Sequence, residues 1–293
     1  MMKNIREDFG VFILSYQRAD RVYTYKTLRK QGYTGDIYLV IDNTDSQQDK
    51  YIENFGKDKV LIFDKEKVAN NIDTGDNLKE LNNVVFARNE VYNLAKQARK
   101  RYILVLDDDY TSFTMRYNRE REYITSKIKI LNLDKYIKIY LDFFIEANLD
   151  CLAFAQTGDY LGGANSTIAS LFKEGKLHRK AMNAFFFDVK KPLKFMGRIN
   201  EDVNMYLFYN YKGYKIFTYP RITLQQIATQ QNDGGLTTAY LNLGTYVKSF
   251  YSILYHPSAV TIRKMGAVNY RLHHNIKWDR VAPYILDEKY KKI

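Results

Sequence analysis

Arg101-Tyr-Ile-Leu-Val-Leu-Asp-Asp-Asp-Tyr110 is an unbroken apolar run that stops on three consecutive acids. A continuous rather than alternating run of this length is the pattern of a strand buried on both faces, in the middle of a parallel sheet covered by helices. Asp107, Asp108 and Asp109 then fall at its C-terminal edge, where open α/β sheets bind ligands. In an extended chain Asp107 and Asp109 point to one side and Asp108 to the other, because strand side chains alternate. Two carboxylates on one side suit a hard cation, Mg2+ or Mn2+, that takes phosphate oxygens as its remaining ligands. A solvated acidic turn would account for one aspartate, but adjacent like charges repel and a turn needs only one.

Outward from this run the strand-then-polar pattern recurs. Residues 10–15 (Gly-Val-Phe-Ile-Leu-Ser) read as a buried strand, and from Asp20 onward Val22, Tyr25 and Leu28 recur at helical spacing until Gly32. Residues 37–41 are a second strand, ending in Asp42-Asn-Thr-Asp45, followed by a helix over 47–55 and a third strand over 59–63. Strand, helix, strand in this order predicts a parallel sheet with right-handed crossovers. Residues 64–83 read as a polar loop, and 84–99 as a helix delivering the chain into the acid-tipped strand.

Beyond the acids, residues 110–117 alternate like an antiparallel strand, 133–148 form an amphipathic helix, and 151–155 a further strand. Residues 158–180 read as a loop and a candidate mobile lid, 183–189 as a strand. Glu201 and Asp202 open a helix that ends before Gly213, and 214–219 make another strand. A long helix is expected over 238–255, with Tyr240, Leu243, Val247, Phe250 and Leu254 inward.

With only four prolines in 293 residues and no Gly/Ser/Pro-rich run, there is no flexible linker. Residues 1–235 are expected to form one α/β unit and 236–293 a helical extension packed on it. An apolar content of 46% and a charged content of 27% are those of a globular protein. The net charge of +12 favours polyanionic partners. Cys151 is alone, so no disulfide framework is possible, and the longest early apolar run, residues 11–14, is too short for a signal-peptide core or a membrane span. A cytoplasmic protein with no membrane association is expected; nothing in the sequence fixes an oligomeric state.

Four polar clusters stand at the ends of separate elements: Ser15 to Arg18, Asp42 to Asp45, Asp107 to Asp109, and Glu201 with Asp202. The first three follow parallel strands and should converge on one sheet edge. Phe86-Ala-Arg88-Asn89 ahead of the acid-tipped run, with Asn200-Glu201-Asp202-Val-Asn-Met205 and Gly213-Tyr-Lys-Ile216 after it, carry a resemblance to nucleotide-sugar-dependent glycosyltransferases of GT-A fold. In that family an Ala-Arg-Asn helix leads to an Asp-x-Asp strand, and a later Glu-Asp pair opens a helix whose end reads Gly-x-Lys-Ile. The match spans most of residues 10–220. Phe12-Ile-Leu-Ser-Tyr-Gln-Arg-Ala-Asp20 and Arg271-Leu-His-His274 narrow the resemblance to the phage-type, TET/JBP-associated transferases, a group linked to glycosylation of hydroxymethylated pyrimidines in DNA.

The resemblance implies a Rossmann-like mixed, mostly parallel sheet flanked by helices, with a helical C-terminal extension. It implies a nucleotide-sugar donor, a UDP-sugar first among them, and Mn2+ or Mg2+ held by Asp107 and Asp109, with Asp108 at the ribose. Ser15, Arg18 and Asp42 would line the nucleotide, and Arg88 the diphosphate or sugar. Asp202 would be the acceptor-side carboxylate and Glu201 a donor-sugar contact. A late histidine would complete the metal site, with His274 taken first and His256 and His273 as alternatives.

The chemistry stands without the family. Breaking a sugar–phosphate bond builds negative charge on the leaving diphosphate, which a divalent cation stabilises. The acceptor hydroxyl must lose a proton, and a carboxylate serves as base if burial raises its pKa. Glu201 and Asp202 sit in a first helical turn, where the helix dipole works against that rise.

The acceptor expected is 5-hydroxymethylpyrimidine in DNA. Basic residues cluster in the segments flanking the proposed site: Arg116, Arg119 and Arg121; Lys173, Lys176, Arg179 and Lys180; and Lys190, Lys191, Lys194 and Arg198. Tyr110, Phe113, Tyr117 and Tyr123 offer a stacking surface for an exposed base. The competing readings are a glycan or protein acceptor, a metal-dependent nuclease or nucleotidyltransferase, and a non-catalytic DNA-binding module.

Overall fold

A computed structural model describes residues 5–78, 80–227, 244, 246–265 and 271–281. Nine strands form one sheet: β1 (Phe9–Leu14), β2 (Ile37–Asp42), β3 (Val60–Phe63), β4 (Tyr102–Asp107), β5 (Tyr110–Tyr117), β6 (Tyr123–Lys129), β7 (Cys151–Gln156), β8 (Phe185–Asp188) and β9 (Ile216–Gln226). Their order is β3-β2-β1-β4-β8-β7-β9-β5-β6. β3, β2, β1 and β4 are mutually parallel, and β7 is parallel to β9. β8 runs against β4 and β7, and β5 against β9 and β6, so only β5 and β8 oppose the common direction.

The apolar run of β4 is buried on both sides, as a central strand requires. Leu104 and Leu106 join one hydrophobic cluster, Ile103 and Val105 the cluster on the opposite face. The flanking helices are α1 (Tyr23–Lys30), α2 (Gln48–Phe55), α3 (Lys65–Ala69), α4 (Val84–Gln97), α5 (Leu133–Glu146), α6 (Thr167–Lys173) and α7 (Glu201–Tyr211). Asn83 caps α4 by accepting from Val85 N at 2.8 Å. α5 buries Leu133, Ile137, Tyr140, Leu141 and Phe144 as its periodicity predicts. α7 ends at Gly213, whose φ of +83° gives the left-handed turn that glycine adopts without strain.

Several expectations need correction. The polar segment after β3 contains helix α3, capped by Asp64. Residues 158–180 are not a loop: short 3-10 turns at Thr157–Tyr160 and Gly163–Asn165 lead into α6, whose Ile168 and Phe172 pack with Tyr117, Ala155 and Tyr160 in a third cluster. The C-terminal extension is not purely helical. Its described part is α8 (Val247–Tyr255), an antiparallel hairpin of β10 (Val260–Met265) and β11 (Arg271–Ile276), and the short helix α9 (Trp278–Val281). Tyr240 and Leu243, and the expected boundary at 235–236, lie outside the described residues. α8 also presents the other face: Phe250 and Leu254 are 48% and 61% exposed, while Ser249, Tyr251 and Ser252 are buried.

Candidate active site

The turn after β4 sends its three acids in different directions. Thr24 of α1 clasps it: its Oγ1 donates to Asp107 O at 2.6 Å and accepts from Tyr110 N at 2.9 Å, and its N donates to Asp108 O at 3.0 Å. Asp108 turns toward β1 and α2. Ser15 Oγ donates to it at 2.6 Å, Arg18 Nη1 pairs with it at 2.9 Å, and Ser15 also meets Tyr51 OH at 2.7 Å. Burial raises the Asp108 pKa, with Arg18 and Ser15 opposing. Asp42, at the end of β2, is consumed locally by a 2.7 Å pair with Lys65 and a bond from Thr44 N at 2.9 Å.

Asp107 turns the other way, toward α4. Its carboxylate is 26% exposed and receives only long contacts from Arg88 Nη2, 3.3 and 3.4 Å. Burial raises its pKa against the pull of Arg88. Asp109 has the least support: its Oδ1 is buried with no hydrogen-bond partner among the described residues. Burial, then repulsion from Asp107 and Asp108, pushes its pKa up to about 7.

Arg88 joins the two ends of the site. Its guanidinium, 3% exposed, reaches Asp107, Asn183 Oδ1 at 3.2 Å, and Glu201 Oε1 at 3.0 Å, and lies over the rings of Phe185 and Phe195 at 5.3 and 5.7 Å. Burial opposes its charge, yet Glu201, Asp107 and Asp202 raise its pKa above the ordinary value. Through these contacts it positions the acids, while its buried Nε and Nη1 make no hydrogen bond among the described residues. Asn183, a positive-φ residue ahead of β8, carries no sequence signal beyond the tolerance of Asn for that conformation.

Glu201 and Asp202 open α7 and are both buried. Burial pushes the Glu201 carboxyl to about 7 and raises Asp202 as well, so desolvation outweighs the helix dipole. Asn200 precedes them in the left-handed region at φ 58°. Its Nδ2 donates to Lys248 O at 2.8 Å and Ser252 Oγ at 3.1 Å, tying the pair to α8.

His274 and His256 have partners of their own. His274 Nδ1 lies 3.4 Å from Asn200 Nδ2 and its ring stacks on His273; burial and His273 lower its pKa to about 3. His256 Nε2 meets Asn204 O at 3.1 Å. Among the described residues no group of three or more His, Cys, Asp or Glu is placed to hold a metal ion, so Asp107, Asp109 and His274 are not assembled as a ligand set.

Residues 9–235 match the family model described as TET-Associated Glycosyltransferase. The chain belongs to this family. No curated protein matches it. Similar solved structures include glucosyl-3-phosphoglycerate synthase from Mycobacterium tuberculosis in complex with Mg2+ and uridine diphosphate, at 9% identity over 92% of this chain and 87% of that one, with a TM-score of 0.47. Another is a mannosyltransferase from Pyrobaculum calidifontis in complex with GDP-mannose and Mn2+, at 10% identity over 76% of this chain and 58% of that one, with a TM-score of 0.47.

In this TET-associated glycosyltransferase several residues of the basic and aromatic clusters expected to hold DNA are engaged within the fold. Tyr110, Phe113 and Tyr117 are buried in the core, so they form no stacking surface for an exposed base. Arg198, 2% exposed, pairs with Asp76 at 2.8 Å and also donates to Leu78 O at 2.7 Å, holding the 73–80 segment. Lys180 pairs with Asp159 at 2.7 Å. Lys190 and Lys191 follow β8, which runs against β4 and sets Asp188 opposite Tyr102. They stand at the opposite edge of the sheet, about 17 Å from the acids along β4. Among the described residues no helix is long and apolar enough to cross a membrane.

Proposed function

We propose that this glycosyltransferase moves a sugar from a nucleotide-sugar donor, a UDP-sugar first among them, to the hydroxyl of a 5-hydroxymethylpyrimidine in DNA, with Mg2+ or Mn2+ at Asp107 and Asp109. The observation that carries the donor side is Asp109 Oδ1, buried and unpartnered beside Asp107 on a turn clasped by Thr24. Leaving such an atom unsatisfied costs about 1–3 kcal/mol, and the raised pKa of Asp109 marks the same uncompensated charge. Two carboxylates that share their cation with substrate phosphates are a normal Mg2+ donor set, so these residues fit the ion without a histidine. Bound there, the cation would neutralise charge building on the leaving diphosphate.

The chain's own residues account for the remainder. Ser15, Arg18 and Asp108 form a closed network at the end of β1, placed to border the nucleotide. Arg88 fixes Asp107 relative to Glu201, keeping the donor-side and acceptor-side acids in register. Asp202, with its pKa raised by burial, takes the proton of the acceptor hydroxyl, and Glu201 borders the donor sugar. Residues 1–235 are the catalytic unit in this reading, and 236–293 the extension that braces Asn200. Membership of a glycosyltransferase family weighs against the nuclease and DNA-binding-module readings; the acceptor rests on the family resemblance and the net charge of +12.

The test offers hydroxymethylated and unmodified DNA of one sequence, with protein and oligosaccharide acceptors, and each candidate nucleotide sugar. Transfer to hydroxymethylated DNA alone is expected; transfer to protein or glycan but never to that DNA would overturn the acceptor. Asp202→Asn is expected to retain donor binding while transfer falls by roughly 10²–10⁴-fold. A rate within a few fold of the parent would remove Asp202 from the role of base.

A further inference from the structure

β5 and β9 lie side by side with one apolar face and one polar face. Phe113, Ile222 and Leu224 belong to the core cluster. The alternate positions are Ser112, Thr114 and Arg116 on β5 and Gln225, Thr223 and Arg221 on β9. Ser112 pairs with Gln225, Thr114 with Thr223 and Met115 with Ile222, and Arg116 and Arg221 stand one residue beyond the last of these pairs on their strands. A polar sheet face is ordinarily solvated, but Ser112, Thr114, Arg116 and Thr223 are 4%, 0%, 6% and 0% exposed.

Five side-chain atoms of this stripe, Ser112 Oγ, Thr223 Oγ1, Gln225 Nε2, Arg116 Nε and Arg221 Nε, are buried with no hydrogen-bond partner among the described residues. Among the described residues no carboxylate forms an ion pair with either arginine; the Arg116 guanidinium lies 5.6 Å from the Tyr160 ring centroid. A buried charge without a partner is among the costliest features a fold can retain. Arg221 and Gln225 are only half-buried, so the stripe opens to the surface. It begins beside the candidate active site: Tyr110 pairs with Gln226, and Ile227 N donates to Asp109 O at 3.2 Å.

We infer that this stripe is an anion-binding trough that takes a backbone phosphate of the acceptor strand, a reading that rests on the DNA acceptor proposed above. The unpartnered atoms are three N–H donors and two hydroxyls, two of the N–H donors on guanidinium groups, a set matched to phosphate oxygens. Arg119 and Arg121 are exposed and continue the row of cations beyond the trough, which fits the repeating charge of a nucleic-acid strand better than a lone carboxylate. Ser112 to Arg116 spans about 13 Å along the strand, so the bound phosphate belongs to a nucleotide near the one being modified.

The test measures binding of the full chain to a labelled hydroxymethylated oligonucleotide as salt is varied, with single linkages replaced in turn by neutral methylphosphonates. In the parent, one neutral linkage is expected to lower affinity about tenfold, as one charge-assisted contact would. Arg116→Gln is expected to lose the same tenfold, to be indifferent to that linkage, and to lower the salt slope by about 0.7–0.9. Arg221→Gln and Ser112→Ala, checked for fold by melting temperature, are expected to act in the same direction. Unchanged slopes in both arginine variants would overturn the proposal, as would tighter Arg116-dependent binding of an oligoglutamate peptide. Inorganic phosphate alone separates the two readings. If hydroxymethylated DNA is never glycosylated yet phosphate raises the parent's melting temperature and Arg116→Gln abolishes the rise, the trough stands and the acceptor falls. No Arg116-dependent rise sinks the trough whatever the acceptor.

Discussion

The two halves of the sheet edge treat charge in opposite ways. On the β2-β1-β4 side the polar groups are closed among themselves: Asp42 on Lys65, Asp108 on Ser15 and Arg18, Ser15 on Tyr51. From Asp109 across β5 and β9 they are left open, with buried atoms of Asp109, Ser112, Gln225, Arg116 and Arg221 unpartnered. A closed network fixes geometry, whereas an open one carries a desolvation cost that a ligand can offset. The closed half is therefore a preset frame, and the open half is where what binds completes the structure.

The strongest way to break this contrast is Asp109→Asn. Loss of one carboxylate of a hard-cation site should lower transfer on the order of 10³-fold, about 4 kcal/mol of barrier, and weaken Mn2+-dependent UDP binding in calorimetry. Because the parent carboxylate is unsupported, the melting temperature at pH 8 without metal should not fall. Full activity with unchanged metal affinity would place Asp109 with the closed half.

Arg88→Gln tests the seam between the halves. It strands Asp107 and Glu201 without their cation, so urea unfolding should show a loss of about 3 kcal/mol or more. A loss under 1 kcal/mol would mean that the acids tolerate each other without Arg88.

A smaller effect is expected from pH alone. Asp109 and Glu201 titrate near 7 in the folded protein, above ordinary values of 3.8 and 4.5. Between about pH 4 and pH 7 these two carboxyls hold more protons in the folded than in the unfolded state, so their contribution to stability falls as pH rises, against an opposite contribution from the buried histidines His178, His256 and His274. Unfolding of the parent and of Asp109→Asn, measured from pH 4 to 8 with chelator, isolates the carboxyl: the stability of the parent relative to the variant should fall as pH rises. A difference that does not fall with pH would contradict the open character of the site. The smallest effect belongs to the outer face of α8, where Leu254→Ser should change stability by no more than about 0.5 kcal/mol; a larger loss would return that face to the core.

What was legible in the sequence follows the range of the forces involved. β4 and α5 could be read because a run of apolar residues, or a stripe at helical spacing, must be buried whatever surrounds it. α6 was missed because Gly162, Gly163 and Gly175 punctuate its surroundings like a loop, while its reason to form is the packing of Ile168 and Phe172 on distant Tyr117 and Tyr160. α8 turns Ser249, Tyr251 and Ser252 inward and leaves Phe250 and Leu254 outside, the reverse of what apolar periodicity predicts. Asn200, bonded to Ser252, and Asp76, bonded to Tyr251, choose the inner face instead. The lysine and arginine clusters showed their sign in the sequence but not their engagements, and Arg198 proved to be a clasp rather than a phosphate contact.

By itself the sequence determined that a twice-buried strand ends in three acids at a ligand-binding edge, because strand burial and alternation are local properties of ten residues. Only the tertiary structure decided which acid is available. Asp108 is claimed by Ser15 and Arg18, 93 and 90 positions away, and Asp107 is shared with Arg88, while Asp109 is left without a partner for its buried oxygen. Hydrogen bonds and ion pairs act over a few ångströms of space irrespective of separation along the chain, so three neighbouring aspartates that are chemically identical in the sequence become three different groups in the fold.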